Sequence, residues 1–217
     1  MSIATLHYIH DPLCGWCYAA QPLVSAVAET LGNRVALALH GGGLFDEPRT
    51  LDPQLAEHIA HSDERIASLS GQPFGKPYLE GLLAEQDTVL FSLPPIAAIL
   101  AAQALDAAQG YPMLVAIQNA HYQRGLRVVE PSVLTELAEQ IGLDGGAFEA
   151  SFARLHGTET LEHIEASRRL LGSLGGQGFP TLALEVGGRL QLLPHHHDYG
   201  RPQAFVNRIA ALLPAVH

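Results

Sequence analysis

Cys14 and Cys17 are the two cysteines of this 217-residue chain, and they stand together as Cys14-Gly15-Trp16-Cys17 between an apolar run and a helix-like one. Two thiols at that spacing can exchange with a disulfide. One thiolate attacks a sulfur to form a mixed disulfide, and the second thiol, one helical turn on, closes an intramolecular disulfide and frees the partner. The flanking residues give the order of events. Thr5-Leu6-His7-Tyr8-Ile9-His10 reads as a short strand broken at Asp11-Pro12. From Tyr18 onward, Ala19, Ala20, Leu23, Val24, Val27, Ala28 and Leu31 recur at helical spacing until Gly32-Asn33. Cys14 is therefore expected at a helix N-terminus, where unpaired N–H groups and the positive end of the helix dipole favour a thiolate, which makes it the nucleophile and Cys17 the resolving thiol. Pro22 falls inside the same helix, where it is expected to kink the axis.

Other readings of the pair have less support. Zinc requires four ligands, or three and a water, and this motif supplies two; His195, His196 and His197 could complete such a site, although a solvated loop or a cleft lining also suits them. A purely structural disulfide across so short a loop would constrain the unfolded chain little. His10 and Asp11 flank the motif and are candidates for tuning Cys14 or relaying a proton, while turn residues of these types are most often simply exposed and solvated. Trp16 is expected either to offer an apolar surface to substrate or to pack. Gly41-Gly42-Gly43 lacks the Lys-Ser/Thr ending of a phosphate loop and reads as a turn.

Composition sets the class. With 47% hydrophobic residues the chain can bury a sizeable core. A formal net charge of −10, from 12 Lys and Arg against 22 Asp and Glu, argues against nucleic acid and anionic membranes as partners. Met1-Ser2-Ile3 leads into the first strand without a basic segment and long apolar stretch, so a cytoplasmic setting is expected, in which a dithiol is catalytic or metal-binding more often than a permanent staple.

The positioning elements follow from periodicity. Arg34 to His40 is a second strand, making a βαβ unit whose two strands should be parallel. From Asp52 to about Gly172 the pattern is almost entirely helical. Helices are expected from Asp52-Pro53, from Pro77 through Leu83, after Pro94-Pro95, over 111–124, from Pro131, after Asp144 and from Thr158. Strand character returns at Thr181 to Val186 and Arg189 to Leu193 around Gly187-Gly188, a hairpin signal, and a last helix carries Phe205, Ile209 and Leu212.

That order of elements, βαβ then helices then ββα, with Cys-x-x-Cys opening the first helix, resembles the thioredoxin fold, and the helical insertion between its halves resembles the DsbA family. The resemblance covers the whole chain. It implies an α/β thioredoxin-like domain from residues 1–48 and 174–217 with an all-helical insertion domain over 49–173. Gly178-Phe179-Pro180-Thr181 looks like the family's cis-proline loop, which faces the cysteines and presents backbone to an extended substrate. His10-Asp11-Pro12-Leu13-Cys14-Gly15-Trp16-Cys17-Tyr18 and Gly42-Gly43-Leu44-Phe45 look more closely like cytosolic DsbA-like proteins described as disulfide isomerases. Gly15-Trp16 stands where periplasmic DsbA has proline-histidine, so that protein's strongly oxidising potential is not carried over.

The expected activity is thiol–disulfide exchange on protein or small-molecule disulfides. Cys14 and Cys17 are the catalytic residues, and Gly15, Trp16, Phe179, Pro180, His10 and Asp11 are the binding or tuning ones. No bound cofactor is expected, and exchange would be with glutathione or a thioredoxin-type partner. Two alternatives differ in class. One is a glutathione-dependent isomerase or transferase of the kappa type, which has a serine-like residue where Cys14 stands and against which the second cysteine argues; the other is a peptide-binding module without turnover.

Overall fold

The computed structural model describes residues 3–214; Met1, Ser2 and the last three residues, which fall inside the expected terminal pieces, lie outside them. The chain opens with β1 (Ala4–His10), α1 (Gly15–Leu31) and β2 (Val35–Gly41). There follow β3 (Arg49–Thr50), α2 (Pro53–Ser70), a π-helical turn (Pro77–Leu82), β4 (Val89–Leu90), α3 (Leu93–Leu105), α4 (Gly110–Tyr122), α5 (Pro131–Gln140), α6 (Gly145–Leu155) and α7 (Thr158–Ser173). It closes with β5 (Thr181–Val186), β6 (Arg189–Leu192) and α8 (Pro202–Leu212).

Four strands form one sheet in the order β2-β1-β5-β6. β1 and β2 are parallel, with Ala4 opposite Val35 and His10 opposite Gly41, and β5 runs antiparallel to β1 and to β6. This is the expected βαβ and ββα arrangement. The hairpin turns through Gly187 and Gly188, both at positive φ (57° and 78°), a backbone that the tight two-residue turn requires and L side chains resist. Leu6 and Tyr8 are buried toward α1, and the Tyr8 hydroxyl donates to the Cys17 carbonyl at 2.9 Å. His7 belongs to the opposite face, where its ring stacks on His40 and also bonds Glu185. α8 packs on α1, and α7 reaches β2, where the His163 ring accepts the Gly41 amide at 2.9 Å.

The helical region is tied to α1 at the residue that should weaken it. Pro22 has no N–H for the Tyr18 carbonyl, yet α1 runs through it without interruption. Gln72, just beyond α2, supplies the missing donor: its side-chain amide bonds the Tyr18 carbonyl at 2.8 Å and Gln21 Oε1 at 3.0 Å. Beside it, Tyr18 stacks on Tyr122 of α4 with centroids 4.7 Å apart, and Phe74 meets both rings edge-on. Such pairs each add about 0.5–1.5 kcal/mol beyond simple burial, so this cluster fixes the helical region over the start of α1.

Two expectations for this region are corrected. Pro77 to Leu82 winds as a π-turn and not as an α-helix, and β3 and β4 pair as a small antiparallel ladder, Arg49 opposite Leu90 and Thr50 opposite Val89, inside the insertion expected to be all-helical. Strands of two residues carry no periodicity to read. Among the described residues no helix is long and apolar enough to cross a membrane.

Candidate active site

Cys14 is the N-cap of α1. Its backbone is extended (φ −94°, ψ 113°), and its carbonyl accepts the amides of Cys17 and Tyr18 at 2.9 and 3.0 Å, so the thiol leaves the chain where the helix begins. Both thiols are free. Cys14 is 6% exposed and Cys17 fully buried, which makes Cys14 the one an incoming disulfide meets. Burial, and then the neighbouring Cys14, push the Cys17 thiol well up from the ordinary cysteine range. The Asp11 amide is its close polar neighbour, donating to Sγ at 3.4 Å.

His10 and Asp11 are not the solvated turn residues that their position in sequence suggests. They are 1% and 0% exposed, because the turn is roofed by the loop after β2. The Asp11 carboxylate staples the two together, accepting the Leu13 amide at 2.9 Å and the Leu44 amide at 2.7 Å. Desolvation pushes this carboxyl up to about 6, against the pull of those backbone amides. His10 packs on the Tyr8 ring with neither ring nitrogen paired to a protein group, and burial with His163 and His40 nearby lowers it to about 3. It is neutral at physiological pH, which bars it from giving a proton there.

The loop before β5 completes the site. The Cys14 thiol donates to the Phe179 carbonyl at 3.5 Å, and the Phe179–Pro180 peptide bond is cis. The Phe179 ring lies against Gly42, where any Cβ would overlap it. Arg168 of α7 holds that glycine loop in place, donating to the Gly42 and Gly43 carbonyls at 2.8 and 2.5 Å and pairing with Asp46 at 3.5 Å.

A fully buried cysteine stands behind a helix-capping one, and the residue before a cis-proline faces the pair. The protein is similar to the cytosolic disulfide reductase DsbM from Pseudomonas aeruginosa, with 45% identity and a TM-score of 0.89 over 96% of this chain and 98% of that one. The chain belongs to the DsbA family. This DsbA-family protein is a thiol–disulfide oxidoreductase, with Cys14 and Cys17 as its Cys-x-x-Cys pair. DsbM has also been solved with GSH, and that structure matches at 44% identity and a TM-score of 0.88 over 96% of this chain and 98% of DsbM. A candidate protein disulfide isomerase from Nitrosomonas europaea shares the fold at 23% identity and a TM-score of 0.79, covering 96% of both chains. So does a 2-hydroxychromene-2-carboxylate isomerase at 14% identity and 0.57, over 96% of this chain and 97% of that one. No protein-family model and no curated sequence matches the chain.

In this DsbA-family protein, cavities open on both sides of the Trp16 and Phe179 side chains, which line both. One, of about 550 Å³, runs along Gly175 to Leu182 and includes His195, His196 and Tyr199. Trp16 lines it, with the Tyr199 ring 5.6 Å away and the Arg65 guanidinium 5.8 Å from its centroid. His195 is thus buried in a cleft wall and not in a solvated loop, whereas His197 is exposed. Among the described residues no three His, Cys, Asp or Glu side chains converge as a metal site.

The other cavity, of about 420 Å³, contains Cys14 and is walled by α2, the π-turn and α4. Sequence reasoning missed its polar residues, Asp63 and Tyr78. Asp63 shares the buried stripe of α2 with Ile66 and Ser70, a position where a carboxylate is unusual and a legible signal in retrospect. Gly15 is there for the same reason: a Cβ on it would lie 2.7 Å from Asp63 Oδ1 and 2.8 Å from Ile66 Cδ1.

Proposed function

We propose that this protein is a cytoplasmic disulfide reductase that draws electrons from glutathione or a thioredoxin-type protein, with Cys14 as nucleophile and Cys17 as resolving thiol. The Cys14 thiolate attacks the substrate disulfide, forming a Cys14 mixed disulfide and expelling one substrate thiolate. Cys17 then attacks Cys14, forms the Cys14–Cys17 disulfide and expels the second. Two external thiols reduce the pair again by the reverse exchange, so the sulfur atoms carry the electrons and no prosthetic group is needed.

The single observation that carries this reading is the unequal burial of two free thiols at a helix N-terminus, with the Phe179 carbonyl 3.5 Å from Cys14. The direction is supported by the 45% identity to DsbM, a cytosolic disulfide reductase whose structure with GSH is also similar to this one. Phe179 and the glycines before it offer an extended substrate backbone groups rather than side chains, which suits peptides of varied sequence, glutathione included. Asp11 holds the loops around the cysteines through its carboxylate, and His10 through its backbone carbonyl, which accepts the Gly42 amide at 2.8 Å.

Redox titration in glutathione buffers, followed by fluorescence of Trp16, tests the proposal. A midpoint near the roughly −270 mV of thioredoxin is expected. A midpoint near the roughly −120 mV of DsbA would make the protein an oxidant instead, and failure to form a Cys14–Cys17 disulfide at any ratio would remove the dithiol mechanism.

A further inference from the structure

Reducing a disulfide to two thiols takes up two protons as well as two electrons, so each thiolate expelled from the substrate has to be protonated. The groups closest in sequence are already committed: His10, lowered to about 3, carries no extra proton to give at neutral pH, and both Asp11 carboxylate oxygens already accept backbone amides. The helical region places a different acid in the cavity that holds Cys14. Asp63 projects from α2 into that 420 Å³ space and is 3% exposed. Its Oδ2 accepts the Tyr78 hydroxyl at 2.7 Å, and among the described residues no group donates to Oδ1. That oxygen lies against Gly15, the residue after Cys14, in the space a Cβ would need.

We propose that Asp63 is the general acid of the exchange, delivering a proton through Oδ1 to the thiolate expelled when Cys14 attacks a disulfide, and in the reverse direction taking one from the incoming thiol. The inference rests on the dithiol reading above. The step balances as follows: the Cys14 Sγ–S bond forms, the substrate S–S bond breaks, its electron pair departs on the outer sulfur, and the Asp63 proton joins that sulfur. The remaining carboxylate is held by the Tyr78 hydroxyl and takes a proton from solvent at the cavity mouth.

Desolvation raises the Asp63 carboxyl to about 7, opposed by the Tyr78 hydrogen bond, so near neutral pH it can both give and take a proton. The other titratable or charged groups facing this cavity are Cys14 at the start of α1, Arg49 on β3, His58 on α2, Tyr78 on the π-turn, and His121 and Tyr122 on α4. Tyr78 and Tyr122 are pushed far up by burial, and His121 is lowered to about 4, so none of these three changes charge near pH 7.

The test is stopped-flow mixing of reduced protein with glutathione disulfide from pH 5 to 9, read by Trp16 fluorescence, with the Cys14 thiolate followed separately by its absorbance. Per thiolate, the wild-type rate should fall as pH rises through about 7, as the acid is lost. Asp63→Asn should lose that limb and run about a hundredfold slower at pH 6. Tyr78→Phe should keep the limb and move it to higher pH, since it removes a hydrogen bond that favours the carboxylate. An Asp63→Asn profile within twofold of wild type overturns the proposal, as do two variants that slow the rate by one pH-independent factor, the mark of a structural role. Wild type that forms no mixed disulfide sinks the dithiol reading and this proposal together, whereas wild type that reacts beside an unaltered Asp63→Asn profile sinks this proposal alone.

Discussion

The cysteine pair lies between two walls built on different principles. The wall from the loop before β5 is rich in glycine, with Gly175, Gly176 and Gly178 leading to Phe179-Pro180, and Tyr199 and His195 also line its cavity. The wall from α2, the π-turn and α4 has no glycine among its lining residues, and it includes a carboxyl hydrogen-bonded to a tyrosine beside Leu55, Ile59 and Ile66. A main-chain wall accepts many sequences because every substrate peptide has the same backbone. A buried polar pair costs stability and is kept only where its chemistry or geometry is used. The difference teaches that the sheet half presents the disulfide while the helical half supplies what the sulfurs lack.

The largest effects should come from the pair that both walls serve. Cys14→Ser should abolish turnover, and Cys17→Ser should leave a mixed disulfide between Cys14 and substrate, visible by mass spectrometry of the intact protein. A Cys17→Ser protein that turns over at the wild-type rate would remove the resolving role.

Next comes the ionisation of Asp63. Its carboxyl is raised in the folded state, so the folded protein binds that proton more tightly than the unfolded chain. Stability from this group is full below the unfolded value near 4 and is lost as pH rises through about 7. Asp63→Asn cannot ionise and escapes the loss. Urea unfolding at pH 5 and pH 8 should show the variant gaining on wild type by on the order of 2–3 kcal/mol between the two. An unchanged difference would mean that the carboxyl is not held in an apolar site. His10 has the opposite sign. Lowered to about 3, it contributes stability that is present above about 6.5 and lost as pH falls toward 3, so His10→Phe should resist acid unfolding better than wild type.

Smaller again is Gly15→Ala, which tests whether the helical wall sets the shape of the motif. The added carbon would press on Asp63 Oδ1 and Ile66 Cδ1, and the expected cost in urea unfolding is about 1–3 kcal/mol, with slower exchange. A neutral Gly15→Ala would show that α2 yields.

The legibility of the sequence divides along the same line. The sheet half was readable because each element carries a local signal: alternation in β1 and β5, helical spacing after Tyr18, a glycine pair at the hairpin, proline before Thr181. Cys14 at a helix start came from the same kind of evidence. The chemistry of the helical wall was not readable, since Asp63 meets Gly15 only through tertiary packing and its partner Tyr78 sits in a π-turn that helical spacing misdescribes. His10 and Asp11 failed for a related reason. Their burial depends on Leu44, more than thirty residues away, closing over the turn. Pro22 looked disruptive because the donor that replaces its missing N–H, Gln72, lies outside the helix.

One substitution made on each wall compares them directly. Tyr199 and Tyr78 are both buried tyrosines beside the site, but their hydroxyls do different things. Tyr199 donates to the Trp16 carbonyl at 3.5 Å, a long contact, and holds Trp16 mainly by its ring. Tyr78 donates at 2.7 Å to a carboxyl with little access to water. Removing one hydroxyl should therefore be nearly silent and removing the other should not: Tyr199→Phe is expected within about 0.5 kcal/mol of wild type, and Tyr78→Phe should lose about 1–3 kcal/mol. The Tyr78→Phe loss should grow from pH 5 to pH 8, because the hydrogen bond favours the ionised carboxyl that then predominates. Equal costs for the two variants at every pH would erase the distinction between a wall that presents backbone and a wall that carries a proton.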